Sequence, residues 1–407
     1  MSGLQKLDRP GTERDSCVRR WLESVLPIRD VSAIVSVYAQ EFQGLRYDPK
    51  LPGQLQSNQR AAEWMSQGPL PISDICDVVA EYTNMPTNVC KIPEHGYVGA
   101  TCTMSNGQIA ICNSFGVSVW NWIEDNGAMM AYGYGMKAIA ALPQCALALG
   151  TLTGEVHVRR DNGDFLILRG FAGHFMGAVT ALTVLADGKL VAGTSANEVR
   201  VWDVDRDACL WDWRSPHKAS INAIVGVSGG GFAFASGDGK VRSCTADLQL
   251  MATMRTMEGH RDAVFALVVL ADGQLASGSR DATVRVWSEG ACAHVLEGHT
   301  LSVVALAALT GDRLASSSLD TTVRVWHVPS ATCLFELVQA RPARTLVFLP
   351  DGRLAAGSDE VVEIWDIDHG KCVYVLKAHA GQLAHLAALP GGQLLWGHTN
   401  GLFSVWV

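Results

Sequence analysis

The chain is poor in charge and has no long apolar run. Only 18% of its 407 residues are Asp, Glu, Lys or Arg, while 48% are hydrophobic. That balance excludes a disordered chain, which needs high net charge and little apolar material. Lys and Arg (32) are outnumbered by Asp and Glu (40), for a net charge of −8. No basic field for nucleic acid or anionic lipid is present. The longest apolar stretches, such as Ala263–Ala271, reach about half a membrane span and lie between turn signals. Met1 to Arg20 is polar and charged, without the apolar core of a signal peptide. The eleven cysteines include no CxxC pair and the twelve histidines no HExxH, which argues against a disulfide framework and a zinc site. These absences predict an intracellular protein, cytoplasmic or nuclear and not secreted, with no nucleic-acid or membrane partner, no metal and no cofactor.

What the chain does have is a ruler of about forty residues. Leu275–Trp287 reads LASGSRDATVRVW, Leu314–Trp326 reads LASSSLDTTVRVW and Leu354–Trp365 reads LAAGSDEVVEIW. The tryptophans are 39 and 39 residues apart, and Trp406 follows 41 later. Val199–Trp202 and Val117–Trp120 fill the same slot, with degenerate copies at Val156–Arg159 and Val241–Cys244. In each unit an apolar run meets a tight turn, such as Asp187-Gly188, Asp272-Gly273 or Asp351-Gly352. Such pairs favour two-residue hairpins, because positive φ is cheap at both positions. A second run, the Val-Arg-Val-Trp run and a fourth run after the tryptophan complete four strands per unit. Period and grammar together predict propeller blades.

These residues resemble the WD-repeat family. Gly173-His174, Gly259-His260 and Gly298-His299 match its Gly-His element, with Pro216-His217 and Ala378-His379 as near matches. Trp202-Asp203 and Trp365-Asp366 match its Trp-Asp element. The resemblance covers roughly residues 86–407. It implies a mainly β fold, a WD-repeat β-propeller, and a non-catalytic scaffold or adaptor that binds protein or peptide partners. Eight third strands, and a closing strand near Asn88–Ile92 for a last blade that lacks its outer strand, predict eight blades; a count of seven stays open at the degenerate units. The resemblance also implies structural His–Ser–Asp–Trp networks, at His260, Ser277, Asp281 and Trp287, and at His299, Ser316, Asp320 and Trp326. A Ser/His/Asp set also suggests a hydrolase, but its repetition in adjacent units beside a tryptophan points to structure. Cys209, Cys292, Cys333 and Cys372 recur in one slot, expected to hold a small buried residue. Gly226-Val-Ser228-Gly-Gly230 matches GxSxG, but it sits at a hairpin with no helix following, so no nucleophile elbow forms.

Residues 1–85 change to helical periodicity. Val18, Trp21, Leu22 and Val25 form one stripe; Val31, Ile34, Val35, Tyr38 and Phe42 a second; Ile75, Val78, Val79 and Tyr82 a third. Leu26–Tyr38 and Leu70–Tyr82 are near-copies opening on Leu-Pro-Ile. This small helical N-terminal module resembles the first helix of an F-box. The resemblance implies the alternative function, a substrate receptor of a cullin-type ubiquitin ligase docking a Skp-type adaptor through residues 12–84. Dimerisation around Ile34–Gly44, or simple packing on the propeller, are the other readings.

In this family the partner-binding face is where second-to-third-strand turns meet the starts of the first strands. The first-strand entry slots are read as Thr180, Asn222, Phe265, Val304, Thr345 and Ala384, and the candidate residues of the face are Thr180, Phe265, Arg280, Val304, Leu319, Arg341 and Arg344. Of the turn residues that stand seven before each third-strand end, only Arg280 is basic. A reader of phosphopeptides is therefore disfavoured, because a phosphate needs several paired guanidinium donors. An unphosphorylated peptide anchored around Phe265, Val304 and Arg280 fits better.

Overall fold

The computed structural model describes residues 88–91, 98–104, 106–113, 116–121, 126–130, 135–160, 163–168, 177–215, 219–245, 254–377, 383–389, 392–398 and 402–406. All belong to the second of the two units into which the chain divides, Pro86–Val407. The helical stripes of residues 1–85, the F-box-like motif and its adaptor site lie outside the described residues, as do Gly173-His174, His217 and His379.

Short strands separated by tight turns give eight four-stranded antiparallel sheets. Their first strands are Val98–Thr103, Met136–Ala141, Val179–Val184, Ile221–Gly226, Val264–Val269, Val303–Ala308, Thr345–Phe348 and Leu383–Ala388. In that order they number blades 1 to 8. Each first strand packs against the next, and that of blade 8 packs against that of blade 1, so the ring closes. Blade 8 takes its outer strand from the other end of the propeller. Asn88–Lys91 pairs antiparallel with Leu402–Trp406, Asn88 opposite Val405 and Lys91 opposite Leu402. A closed ring leaves no long inner edge for foreign strands.

The apolar cores lie between blades. One joins Ala233, Phe232's neighbour on blade 4, and Val241 to Val264 and Trp287 of blade 5; another joins Val284 and Leu296 of blade 5 to Val303 and Trp326 of blade 6. Second strands such as Leu190–Thr194, Phe232–Ser236 and Leu275–Ser279 are buried along their whole length, because they have a blade on either side. Gly278 shows why the recurrent glycine belongs there. A Cβ on it would stand 2.6 Å from Val303 Cγ1, and one on Gly193 2.5 Å from Ile221 Cγ2. The missing side chain is the hole into which the next blade fits.

The cysteine slot is a correction. Cys292, Cys333 and Cys372 are exposed and Cys209 is half-buried. The slot opens the fourth, outermost strand, just where the register with the third strand shifts, as between Val286 and Trp287. Each thiol there donates to the carbonyl two residues on, at 3.5, 3.3 and 3.4 Å for Cys292, Cys333 and Cys372. An edge strand has one side in water, so a small side chain in it is not thereby a core side chain.

Candidate interaction face

Antiparallel register brings two kinds of residue together. Val264 pairs with Ser279, so the turn after Ser279 stands beside the start of the first strand. Arg280 N–H donates to Ala263 O at 2.8 Å, and Leu319 N–H to Ser302 O at 3.0 Å. Every first strand except that of blade 7 skips a residue near its start, in blade 5 between Val264 and Ala266 and in blade 6 between Val303 and Ala305. Phe265 and Val304 are the residues skipped. A bulge of this kind re-aims one side chain out of the ladder.

The bulge residues of blades 3 and 4 show which way these side chains lean. Thr180 Oγ1 donates to Ile221 O at 2.5 Å and Asn222 Nδ2 to Val264 O at 2.7 Å. Each reaches across to the next blade. Phe265 occupies the same position on blade 5. Thr180, expected on the partner face, is thus bonded within the ring. Blade 7 carries a further difference. Arg344 N–H donates to Gly357 O at 2.8 Å while Thr345 pairs with that same Gly357, so Arg344 fills the bulge slot expected for Thr345.

Among the described residues the exposed apolar side chains of this face are Leu152 on blade 2, 54% exposed and alone there, and a group on blades 5 and 6. Phe265 is 37% exposed, Leu301 53% and Leu319 38%, with Val304 half-buried beside them. Leu301 was not among the expected residues. Its signal is a large apolar side chain two residues after Gly298-His299, in a loop that is otherwise polar. The arginines of the face all have acidic neighbours. Arg280 Nε is 3.8 Å from Asp262, Arg341 Nη2 3.2 Å from Glu360, and Arg344 Nε 2.8 Å from Asp359. These exposed pairs contribute little energy, but they leave no cluster of unpaired guanidinium groups.

Beneath this patch lie the two four-residue networks. In blade 5, Trp287 Nε1–H donates to Ser277 Oγ at 2.7 Å, Ser277 Oγ bonds His260 Nε2 at 2.8 Å, and His260 Nδ1 bonds Asp281 Oδ2 at 2.9 Å. Asp281 also accepts from Arg261 N–H at 2.9 Å and from Thr283 N–H and Oγ1–H at 3.0 and 2.7 Å. Blade 6 repeats the set. Trp326 Nε1–H donates to Ser316 Oγ at 2.8 Å, which bonds His299 Nε2 at 2.8 Å, and His299 Nδ1 bonds Asp320 at 2.9 Å. The carboxylate facing each Nδ1 can only accept, so Nδ1 carries the proton, and the neutral imidazole accepts at Nε2 from the serine hydroxyl, whose oxygen takes the tryptophan N–H. Burial lowers both histidine pKa values, and the facing aspartate offsets only part of that. Burial alone would raise Asp281 and Asp320, but their hydrogen bonds outweigh it and hold both carboxyls down at about 2. Ser277 and Ser316 are fully buried. A serine sealed under a tryptophan has no room for a substrate, so the set ties a turn to a strand.

The arginines within the third strands are spent in the same way. Arg200 Nε donates to Asp212 at 2.9 Å, Arg242 grips Asp238 with both terminal nitrogens, and Arg324 pairs with Glu336. They form no stripe for a polyanion. Ser228, of the GxSxG match, lies exposed in the turn between Ile221–Gly226 and Phe232–Ser236, where Gly229 and Gly230 take φ of 88° and 83°. The turn runs from strand to strand, without the helix a nucleophile elbow requires. Among the described residues no group of three or more His, Cys, Asp or Glu could hold a metal ion, and no helix is long and apolar enough to cross a membrane.

A closed ring of four-stranded sheets defines a β-propeller. The family model for the WD domain, G-beta repeat, matches residues 166–203, 251–288 and 290–327. No curated protein matches the chain. Among solved structures, the computationally designed Ika8 protein is similar at 22% identity and a TM-score of 0.67, covering 77% of this chain and 96% of that one. The WD40 propeller domain of Doa1 is similar at 14% identity and 0.53, over 67% and 92%. A chain in the crystal structure of the mitotic checkpoint complex is similar at 18% identity and 0.57, over 79% and 91%. At these identities the likeness is one of fold.

Proposed function

We propose that the protein is a non-catalytic interaction scaffold, an adaptor that holds a partner segment on the turn face of blades 5 and 6. One observation carries the reading. The two blades whose turns are pinned by complete four-residue networks are the two that present Phe265, Leu301 and Leu319 to solvent. Apolar side chains held on a rigid support lose little entropy when covered, which is the property of an anchor site. Arg280 at the margin, its acidic partner 3.8 Å away, can turn to a carboxylate of the bound segment at small cost.

Phage-displayed peptides selected on the full chain supply a probe whose binding can be followed by fluorescence anisotropy. Substitutions F265S and L319S, each on the surface, are expected to weaken it at least tenfold while the melting temperature stays within a few degrees. Peptides that bind equally to wild type and both variants would overturn the proposal.

A further inference from the structure

Where the ring closes, the chemistry changes. Elsewhere the blades set their buried basic groups against acids, as at Arg242 with Asp238 or His260 with Asp281. Between blade 8 and blade 1, Thr101 Oγ1 and His385 Nδ1 are bonded at 2.6 Å, a link with no acid in it. The first and second strands of these blades, Val98–Thr103 and Ile109–Asn113, Leu383–Ala388 and Leu394–His398, contain no Asp, Glu, Lys or Arg. Their other titratable residues are Cys102, Cys112 and His398. Cys102 is pushed up to about 12, by burial and by Cys112 beside it, so it stays neutral. On the blade 7 side Thr345–Phe348 has no ionisable group, and Arg353 on the adjoining strand Arg353–Gly357 is taken by Asp351.

We propose that His385 makes the junction of blades 8 and 1 an acid-sensitive latch, the place where the ring opens first when the pH falls. With a neutral imidazole the short bond to Thr101 needs one proton, supplied by either partner. Once both ring nitrogens carry protons, Nδ1 can only donate, the threonine hydroxyl must find another acceptor, and a full charge sits between strands that offer it no counter-charge. His260 and His299 face aspartates that would compensate a proton; His385 does not. Burial accordingly lowers its pKa. In the opened junction the ring regains water and the ordinary affinity for a proton. By linkage, opening becomes easier as the pH drops below the ordinary histidine value, by about tenfold between pH 7.5 and 5.5.

Hydrogen exchange read by mass spectrometry on the full chain tests this, with rates corrected for the intrinsic effect of pH. Peptides covering 98–103 and 383–388 are expected to lose about tenfold in protection between pH 7.5 and 5.5, more than those covering 264–279 and 303–318, whose histidines keep an aspartate to offset part of the shift. In H385N, which cannot gain a charge, the acid-dependent loss is expected to disappear. Loss that persists in H385N, or that appears equally in all blades of the wild type, overturns the latch. If H385N does not fold at neutral pH, the regional order of opening in the wild type decides, with simultaneous loss counting against it.

Discussion

A serine hydroxyl under a tryptophan is worth more here than its size suggests, because it satisfies two buried side-chain nitrogens at once. Ser277 accepts from Trp287 and donates to His260, and both partners are sealed from water by their own blade. Removing the hydroxyl strands two polar atoms, each at a cost of about 1–3 kcal/mol. S277A is therefore expected to lower unfolding stability by about 2–4 kcal/mol, measured by urea denaturation, with S316A costing a similar amount. A loss no larger than that of a surface serine would mean the networks do not hold their turns. The loss should also exceed what the same slot supports in blade 3, where Ala192 stands beside Trp202 and apolar packing carries the sheet.

At the scale of the element, acid should act on blades 5 and 6 in two stages. The histidines have lowered pKa values, so the unfolded chain takes up protons first and stability falls as the pH drops below the ordinary imidazole value near 6.5. Asp281 and Asp320 sit at about 2 instead of 3.8; their contribution is complete above 3.8 and is lost as the pH falls toward 2. Urea midpoints are expected to be flat above pH 7, to decline between about 6.5 and 5, and to decline again below 4. The double variant D281N/D320N should lack the second decline; if it keeps it, other carboxylates set the acid limb.

These elements were also the legible ones. A repeat writes its structural letters several times, and a hydrogen-bonded set copied 39 residues on can be read by superposition alone. The tight turns were legible in place for the same reason but not in type: at Asp272-Gly273 only Gly273 takes a positive φ, 87°, and Leu270 N–H donates to Gln274 O, so the loop has three residues and not two. What could not be read was anything depending on a neighbouring blade. Thr180 looked like a surface residue, but its hydroxyl is bonded to Ile221 O, 41 residues away. Arg344 replaced Thr345 in the bulge slot because blade 7 has a shorter turn at Ser358–Glu360, which moves the alignment by one. The outer-strand cysteines were misjudged because a strand pattern does not say which strand is the edge. Leu301 was missed because a loop has no period to break.

For the whole molecule, closure rests on four residues. Asn88–Lys91 covers the third strand of blade 8, Leu402–Trp406, which would otherwise present a row of open backbone groups. A chain starting at residue 98 is expected to self-associate through that edge, seen as oligomers by light scattering after size exclusion, and to melt at lower temperature than the full chain. A monodisperse monomer with an unchanged melting temperature would show that the closing strand is dispensable.

That strand also sets the order of events when the protein is made. Asn88–Lys91 leaves the ribosome early, yet its partner is Leu402–Trp406, roughly 300 residues later along the chain. Bringing such distant segments together costs about 5 kcal/mol in chain entropy if the whole intervening stretch is flexible. Seven blades formed beforehand turn that stretch into a curved, nearly closed body and carry the two ends toward each other. The earliest of the thirty-two described strands to be synthesised is thus bound to be among the last to find its place, and until then a nascent chain of this protein carries it unpaired ahead of the growing blades.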